Sequence, residues 1–144
     1  MSRIIVTGAA GFIGSHTTDR LLAEGHEVLG IDNLRTGHRR NLDQALKAPQ
    51  CRLEIADVAA EGVMDGLVGE YKPDAIIHLA ALVSVQESIE DPDLNLRLNY
   101  IATQRVTTAM EAHGVKRVVF ASSAAHQAEE ADHDRAEKAD QPLW

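Results

Sequence analysis

Thr7-Gly8-Ala9-Ala10-Gly11-Phe12-Ile13-Gly14 is the stretch that decides the fold. The apolar run Ile4-Ile5-Val6 leads directly into it, and a segment of helix length, Phe12 to Glu24, follows and stops at Gly25. A glycine at a strand exit can take the backbone angles of a tight turn. A glycine in the middle leaves room for a pyrophosphate to touch the main chain, and one a turn into the helix lets it pack close to the sheet. The helix N-terminus then offers unpaired N–H groups and a partial positive charge, about 0.3–1 kcal/mol for an anion. Three spaced glycines alone are a weak signal, and a plain βα turn without a ligand is the alternative. Context strengthens it: a strand before, a helix after, and an acid, Asp32, at the end of the next apolar run, 18 residues beyond Gly14. A carboxylate there can accept both ribose hydroxyls of an adenosine. It would also repel a 2′-phosphate, so NAD is expected over NADP, with Arg35 the cation that could offset the repulsion.

Outward from the loop, short apolar runs alternate with longer amphipathic ones. Strands are expected at Ile4 to Thr7, Glu27 to Ile31, Arg52 to Ala56, Ala75 to Leu79 and Arg117 to Ala121. Helices are expected at Phe12 to Glu24, Asn41 to Lys47, Glu61 to Tyr71 and Leu94 to His113. Such alternation predicts an α/β domain, a Rossmann-type doubly wound parallel sheet with right-handed crossovers.

The 144 residues give room for one domain, and 44% hydrophobic with 25% charged residues is ordinary globular composition. Aromatics are only 3%, so the core must be aliphatic. A net charge of −8, with no basic cluster longer than two residues, argues against nucleic acid as a partner. No apolar run is long enough to span a bilayer. The single cysteine, Cys51, cannot form an intrachain disulfide, and a cytoplasmic location is the default expectation. No residues are assigned to a metal.

Composition shifts near the end. From Ala124 to Trp144 six acidic side chains face two basic ones, a net −4. Residues 1–125 are therefore read as an NAD-binding domain and 126–144 as an acidic tail, disordered or at most a marginal Ala-rich helix. Elsewhere Asp57-Val58 offers either an acceptor for the adenine amino group or a helix N-cap. His78, between Ile77 and Leu79, reads as a packed core histidine. The small residues of Leu79-Ala80-Ala81 at a strand's carboxyl end would let a ligand lie across the crevice.

Taken in order, the glycine loop, Asp32-Asn33-Leu34, Asp57-Val58, His78-Leu79-Ala80-Ala81, Ser84-Val85 with Ser88, Asp91-Pro92, Asn99 and Val119-Phe120-Ala121-Ser122-Ser123 resemble the NAD-dependent epimerase/dehydratase family, the extended short-chain dehydrogenase/reductases. Within it, the nucleotide-sugar 4-epimerases are nearest. The resemblance covers about residues 3 to 125. It implies that Gly8, Gly11, Phe12, Ile13 and Gly14 hold the pyrophosphate and that Asp32, Asn33 and Leu34 border the adenosine ribose. It puts Asp57 and Val58 at the adenine, and Leu79, Ala80 and Ala81 beneath the cofactor. Asn99 would contact the cofactor or order a water. Ser123 would be the catalytic serine that hydrogen-bonds the sugar hydroxyl; by itself the pair Ser122-Ser123 reads as an ordinary strand end. The implied reaction is reversible hydride transfer between a nucleotide sugar and NAD, with a Tyr-x-x-x-Lys pair as the base.

The sequence departs from that pattern at the base. Tyr71 is followed by Ala75 and Tyr100 by Gln104, so neither starts Tyr-x-x-x-Lys. Val83 stands where 4-epimerases often carry a lysine, and Ala102-Thr103 replaces a common Gly-Thr. The expectation is a sheet truncated after about five strands, with the change after Ala125 reading as a frameshift or truncated gene product. Such a chain is expected to bind NAD, to take a nucleotide sugar only if the missing part is supplied, and to turn nothing over alone. A non-catalytic NAD-binding or regulatory module is the alternative. Uncovered apolar surface on Leu94 to His113, which in the family helps form a dimer, leads us to expect self-association.

Overall fold

The computed structural model describes residues 1–121. The tail and Ser123 therefore lie outside the described residues. Five strands form one sheet: β1 (Arg3–Thr7), β2 (Glu27–Asp32), β3 (Cys51–Ile55), β4 (Ala75–His78) and β5 (Val118–Phe120). All pairings are parallel and the order is β3-β2-β1-β4-β5. The chain winds from β1 outward to β3, then crosses to β4 on the other side of β1. The direction reverses between β1 and β4, where Thr7 lies level with Ile31 on one flank and His78 on the other. Ligands of open α/β sheets bind outside the carboxyl ends of strands at such a point.

Both faces are covered at the central strands β1, β2 and β4, which explains their apolar runs, whereas β3 alternates apolar with polar residues and β5 is exposed among the described residues. Ile5, Leu29, Ile31 and Ile76 pack on one face against Met64 and Val68 of α2 (Val63–Tyr71) and Val106 and Met110 of α5 (Ala102–His113). Ile4, Val6 and Val28 pack on the other with Leu42 and Ala45, and with Leu21 and Leu22 of α1 (Phe12–Ala23). Among the described residues no helix is long and apolar enough to cross a membrane.

The helical segments differ from expectation in instructive ways. Asn41 to Lys47 is not one helix but parts of two 3₁₀ turns, Arg39–Leu42 and Ala45–Lys47. Its polar groups go elsewhere: the His38 N–H and the Asn41 side-chain amide both donate to the Ala10 carbonyl, at 3.0 and 2.8 Å. α2 starts at Val63 rather than Glu61, because Gly62 sits in the left-handed region at φ 76°. Sequence reading missed α3 (Val85–Glu90), although Ser84 with Glu87 three residues later is a capping signal. The Ser84 hydroxyl indeed accepts from the Glu87 N–H. The long helix begins two residues early, at Pro92, capped by Asp91. It runs through α4 (Pro92–Asn95) and a π-helical turn (Leu96–Ile101) into α5, with right-handed backbone at each join.

His78 ties β1, β4 and the long helix together. Its ring is buried, with Nδ1 2.6 Å from the Thr7 hydroxyl and Nε2 3.1 Å from that of Thr103. The Thr7 oxygen already accepts from the N–H groups of Leu79 and Ala80, both at 3.2 Å. Its single proton is then free to donate to Nδ1, so the ring carries its proton on Nε2 and donates to Thr103, which donates onward to the Asn99 carbonyl at 2.7 Å. Burial pushes the imidazole pKa down from 6.5 to about 4.

A histidine lowered in the folded state makes the unfolded chain bind the proton first as pH falls. Its contribution is complete above pH 6.5, declines below that and is gone below about pH 4, a total of about 3 kcal/mol. Urea unfolding at pH 7 and pH 4.5 should show the natural chain losing about 2 kcal/mol more over that interval than a His78→Gln variant. Equal losses would mean that His78 does not titrate as described.

Candidate dinucleotide-binding site

The glycine loop leaves β1 at Gly8, whose φ of 68° is left-handed and whose N–H donates to Ile31 of β2 at 2.8 Å. A Cβ on Gly8 would lie 2.8 Å from the Ala80 nitrogen, so the loop and the chain beyond β4 are in backbone contact. The Gly11 N–H donates to the Gly8 carbonyl at 3.1 Å, and Gly11 then caps α1 without any side-chain hydrogen bond. A Cβ on Gly14 would fall 2.0 Å from that same carbonyl oxygen, which shows how closely the first helical turn rides on the loop. The N–H groups of Phe12, Ile13 and Gly14 find no acceptor among the described residues. They are the free donors that a helix start leaves, and they carry the positive end of its dipole. The side chains of Phe12 and Ile13 are exposed.

Asp32 joins this loop to the next. It is buried at the end of β2; Oδ2 accepts from the Ala10 N–H at 2.9 Å and Oδ1 from the Leu34 N–H at 2.8 Å. Each oxygen keeps further acceptor capacity. Leu34 turns the chain with φ 57°, and Asn33 is exposed beside it, its side-chain oxygen accepting from the Arg35 N–H at 3.0 Å. Gly8, Gly11, Phe12, Ile13, Gly14, Asp32, Asn33 and Leu34 thus form one cluster at the carboxyl ends of β1 and β2.

Leu79, Ala80 and Ala81 leave β4 next to Gly8, so they border the cluster on its other flank. Asp57 and Val58 follow β3. The Asp57 carboxylate accepts from the Ala59 N–H at 2.9 Å and pairs with Arg97, while Val58 is buried. It closes a turn well before α2 and is not that helix's N-cap. Asn99 sits in the π-helical turn and is occupied with the backbone of Leu82: Oδ1 accepts its N–H at 2.7 Å and Nδ2 donates to its carbonyl at 3.2 Å. This holds the segment after β4 in place. π turns concentrate at functional sites, and the Thr103 and Arg97 partners around this one carry no local sequence signal. Among the described residues, no group of three His, Cys, Asp or Glu side chains is arranged to hold a metal.

Known proteins share the sequence pattern and fold of this chain. The profile of the NAD dependent epimerase/dehydratase family matches residues 4–143. A UDP-glucose 4-epimerase of Mycolicibacterium smegmatis is 44% identical over 121 residues, which cover 84% of this chain and 38% of that protein. The crystal structure of a UDP-glucose-4-epimerase from Stenotrophomonas maltophila with bound NAD and formylated UDP-arabinopyranose superposes with TM-score 0.89 at 30% identity, over 99% of this chain and 43% of the other. A Thermus thermophilus UDP-glucose 4-epimerase in complex with NAD gives TM-score 0.85 at 36% identity, over 94% and 42%. The chain therefore spans well under half the length of these three proteins.

The contact at Gly14 predicts that Gly14→Ala lowers unfolding stability by roughly 2 kcal/mol, since a backbone oxygen cannot move aside as a side chain can. Gly66, inside α2, has nothing within 4 Å of an added Cβ. There Gly66→Ala should stabilise by about 1 kcal/mol through helix propensity alone. Urea titrations of both variants check the pair; equal effects would show that the helix does not ride on the loop.

Proposed function

This chain belongs to the NAD dependent epimerase/dehydratase family, and we propose that it is the NAD-binding portion of an enzyme like UDP-glucose 4-epimerase. The observation that carries the reading is the glycine loop closed onto Asp32. That loop has no space for side chains at Gly8 and Gly14. It presents donors where a diphosphate would need them, with a carboxylate 2.9 Å from its Ala10 nitrogen. The residues present fit a dinucleotide.

In this reading the N–H groups of Phe12, Ile13 and Gly14 bind the pyrophosphate oxygens, and Gly8 and Gly11 keep the approach open. Asp32 uses its remaining acceptor capacity for the ribose hydroxyls. Asn33 and Leu34 border that ribose, Asp57 and Val58 stand at the adenine, and Leu79, Ala80 and Ala81 form the floor. Asn99 acts through Leu82, and Ser123 would hydrogen-bond the sugar hydroxyl. When bound, NAD supplies a reversible hydride acceptor. The chain's own part is to bind and orient; Asp57 and Asp32 spend part of their acceptor capacity holding their loops in shape.

The 144 residues contain no Tyr-x-x-x-Lys. A general base is worth roughly 10²–10⁴-fold in rate by common experience. We therefore infer that these residues turn over no nucleotide sugar by themselves, and the same absence favours a binding module as the second reading. The negative charge and single cysteine support a cytoplasmic protein without nucleic-acid partners.

Calorimetry of the full 144-residue chain with NAD should show saturable binding, weakened roughly ten-fold by Asp32→Asn. Adding UDP-galactose should give neither UDP-glucose nor reduced-nicotinamide absorbance. Turnover would overturn the inactivity of the isolated chain, and no NAD binding would overturn the reading itself.

A further inference from the structure

Arg35 lies three residues past Asp32, on the loop that borders the ribose in the reading above. An arginine in that neighbourhood is the usual receptor of a 2′-phosphate, so its presence argues for the phosphorylated cofactor. In this fold its guanidinium is engaged elsewhere. Nη2 is paired with Oε1 of Glu87, and Nη1 lies 3.4 Å from Oε2 of the same carboxylate. Two parallel contacts of a planar guanidinium with a carboxylate fix its direction as well as its charge. Glu87 belongs to α3, beyond β4, so the pair joins the loops at the carboxyl ends of β2 and β4, the two strands that flank β1. Each end is anchored by its own backbone: the Arg35 N–H donates to the Asn33 side chain at 3.0 Å, and the Glu87 N–H to the Ser84 hydroxyl at 3.2 Å. The two side chains are 33% and 39% exposed, so a solute can reach them.

The charges decide what such a solute meets. With the pair intact, Arg35 and Glu87 cancel and the ribose side of the site keeps the negative charge of Asp32. Without Glu87, Arg35 would balance Asp32 and offer the fork that a phosphate binds bidentately. We infer that Glu87 is a specificity-determining residue: by holding Arg35, it withholds a cation from the 2′-phosphate and enforces NAD over NADP. This rests on the proposed dinucleotide site at Asp32, but concerns a residue on α3 that lies outside it.

The test is the dissociation constants of NAD and NADP for the full chain and for Glu87→Gln, Arg35→Ala and the double variant. Glu87→Gln should tighten NADP roughly ten-fold relative to NAD, the scale of one charge-assisted hydrogen bond. NAD affinity should stay within about two-fold. Glu87→Ala should repeat the change, and adding Arg35→Ala should abolish it. Arg35→Ala alone should leave the ratio where it was. The inference fails if the ratio is unchanged in both Glu87 variants while NAD still binds, if the gain survives loss of Arg35, or if both dinucleotides weaken together, as a merely structural role for Glu87 would give. Failure of the natural chain to bind NAD at all would overturn the site reading, and this inference with it, and is a separate result from an unchanged ratio.

Discussion

The carboxylate of Asp32 is the constraint on which the site depends. It is buried at the end of β2 and accepts one N–H from the glycine loop and one from its own loop. A buried carboxylate left without such donors would be costly, so the two loops are fixed relative to each other by the need to satisfy it. The glycines act from the other side. The Gly8 carbonyl lies against the first turn of α1, and the Gly8 backbone against Ala80. Between them, the loop is left with N–H groups at Phe12, Ile13 and Gly14 that find no acceptor among the described residues.

The second fixed point is the line of hydrogen bonds from Thr7 through His78 to Thr103. It crosses the place where the strand order reverses and ties the chain beyond β4 to β1. Asn99 continues the same job one segment further by holding both backbone groups of Leu82. The segment beyond β4 is thus placed by buried polar groups, with neutral imidazole at the centre. Such a network rigidifies the site and makes it sensitive to acid. Arg35 and Glu87 close the same region from the solvent side.

Much of this was legible in the sequence. Strands buried on both faces leave apolar runs, so β1, β2 and β4 could be placed within a residue or two; β3 was placed by its alternation of apolar and polar residues, and the spacing by helices predicted the doubly wound sheet. The glycine loop and Asp32 were legible because each demands a particular residue type at a particular place. Less was legible where partners are distant in the chain. Asn41 looked helical because its bond to the Ala10 carbonyl spans 31 residues. The resemblance implies that Asn99 contacts the cofactor or orders a water; the bonds that its amide makes to Leu82 from a π turn are announced by no periodicity. The Arg35–Glu87 pair, 52 residues apart, carries no local signal either. The short helix α3 carries a legible signature in Ser84 with Glu87, and the early start of the long helix carries one in Asp91-Pro92.

The central claim is that the loop from Gly8 to Gly14, with Asp32, receives a dinucleotide through main-chain N–H groups. Backbone amide resonances of the ¹⁵N-labelled chain, followed during titration with NAD, test it most directly. The account predicts saturable shifts concentrated at the amides of Ala10, Phe12, Ile13, Gly14 and Leu34. Saturation with those five amides unmoved and the changes centred elsewhere on the sheet would contradict it.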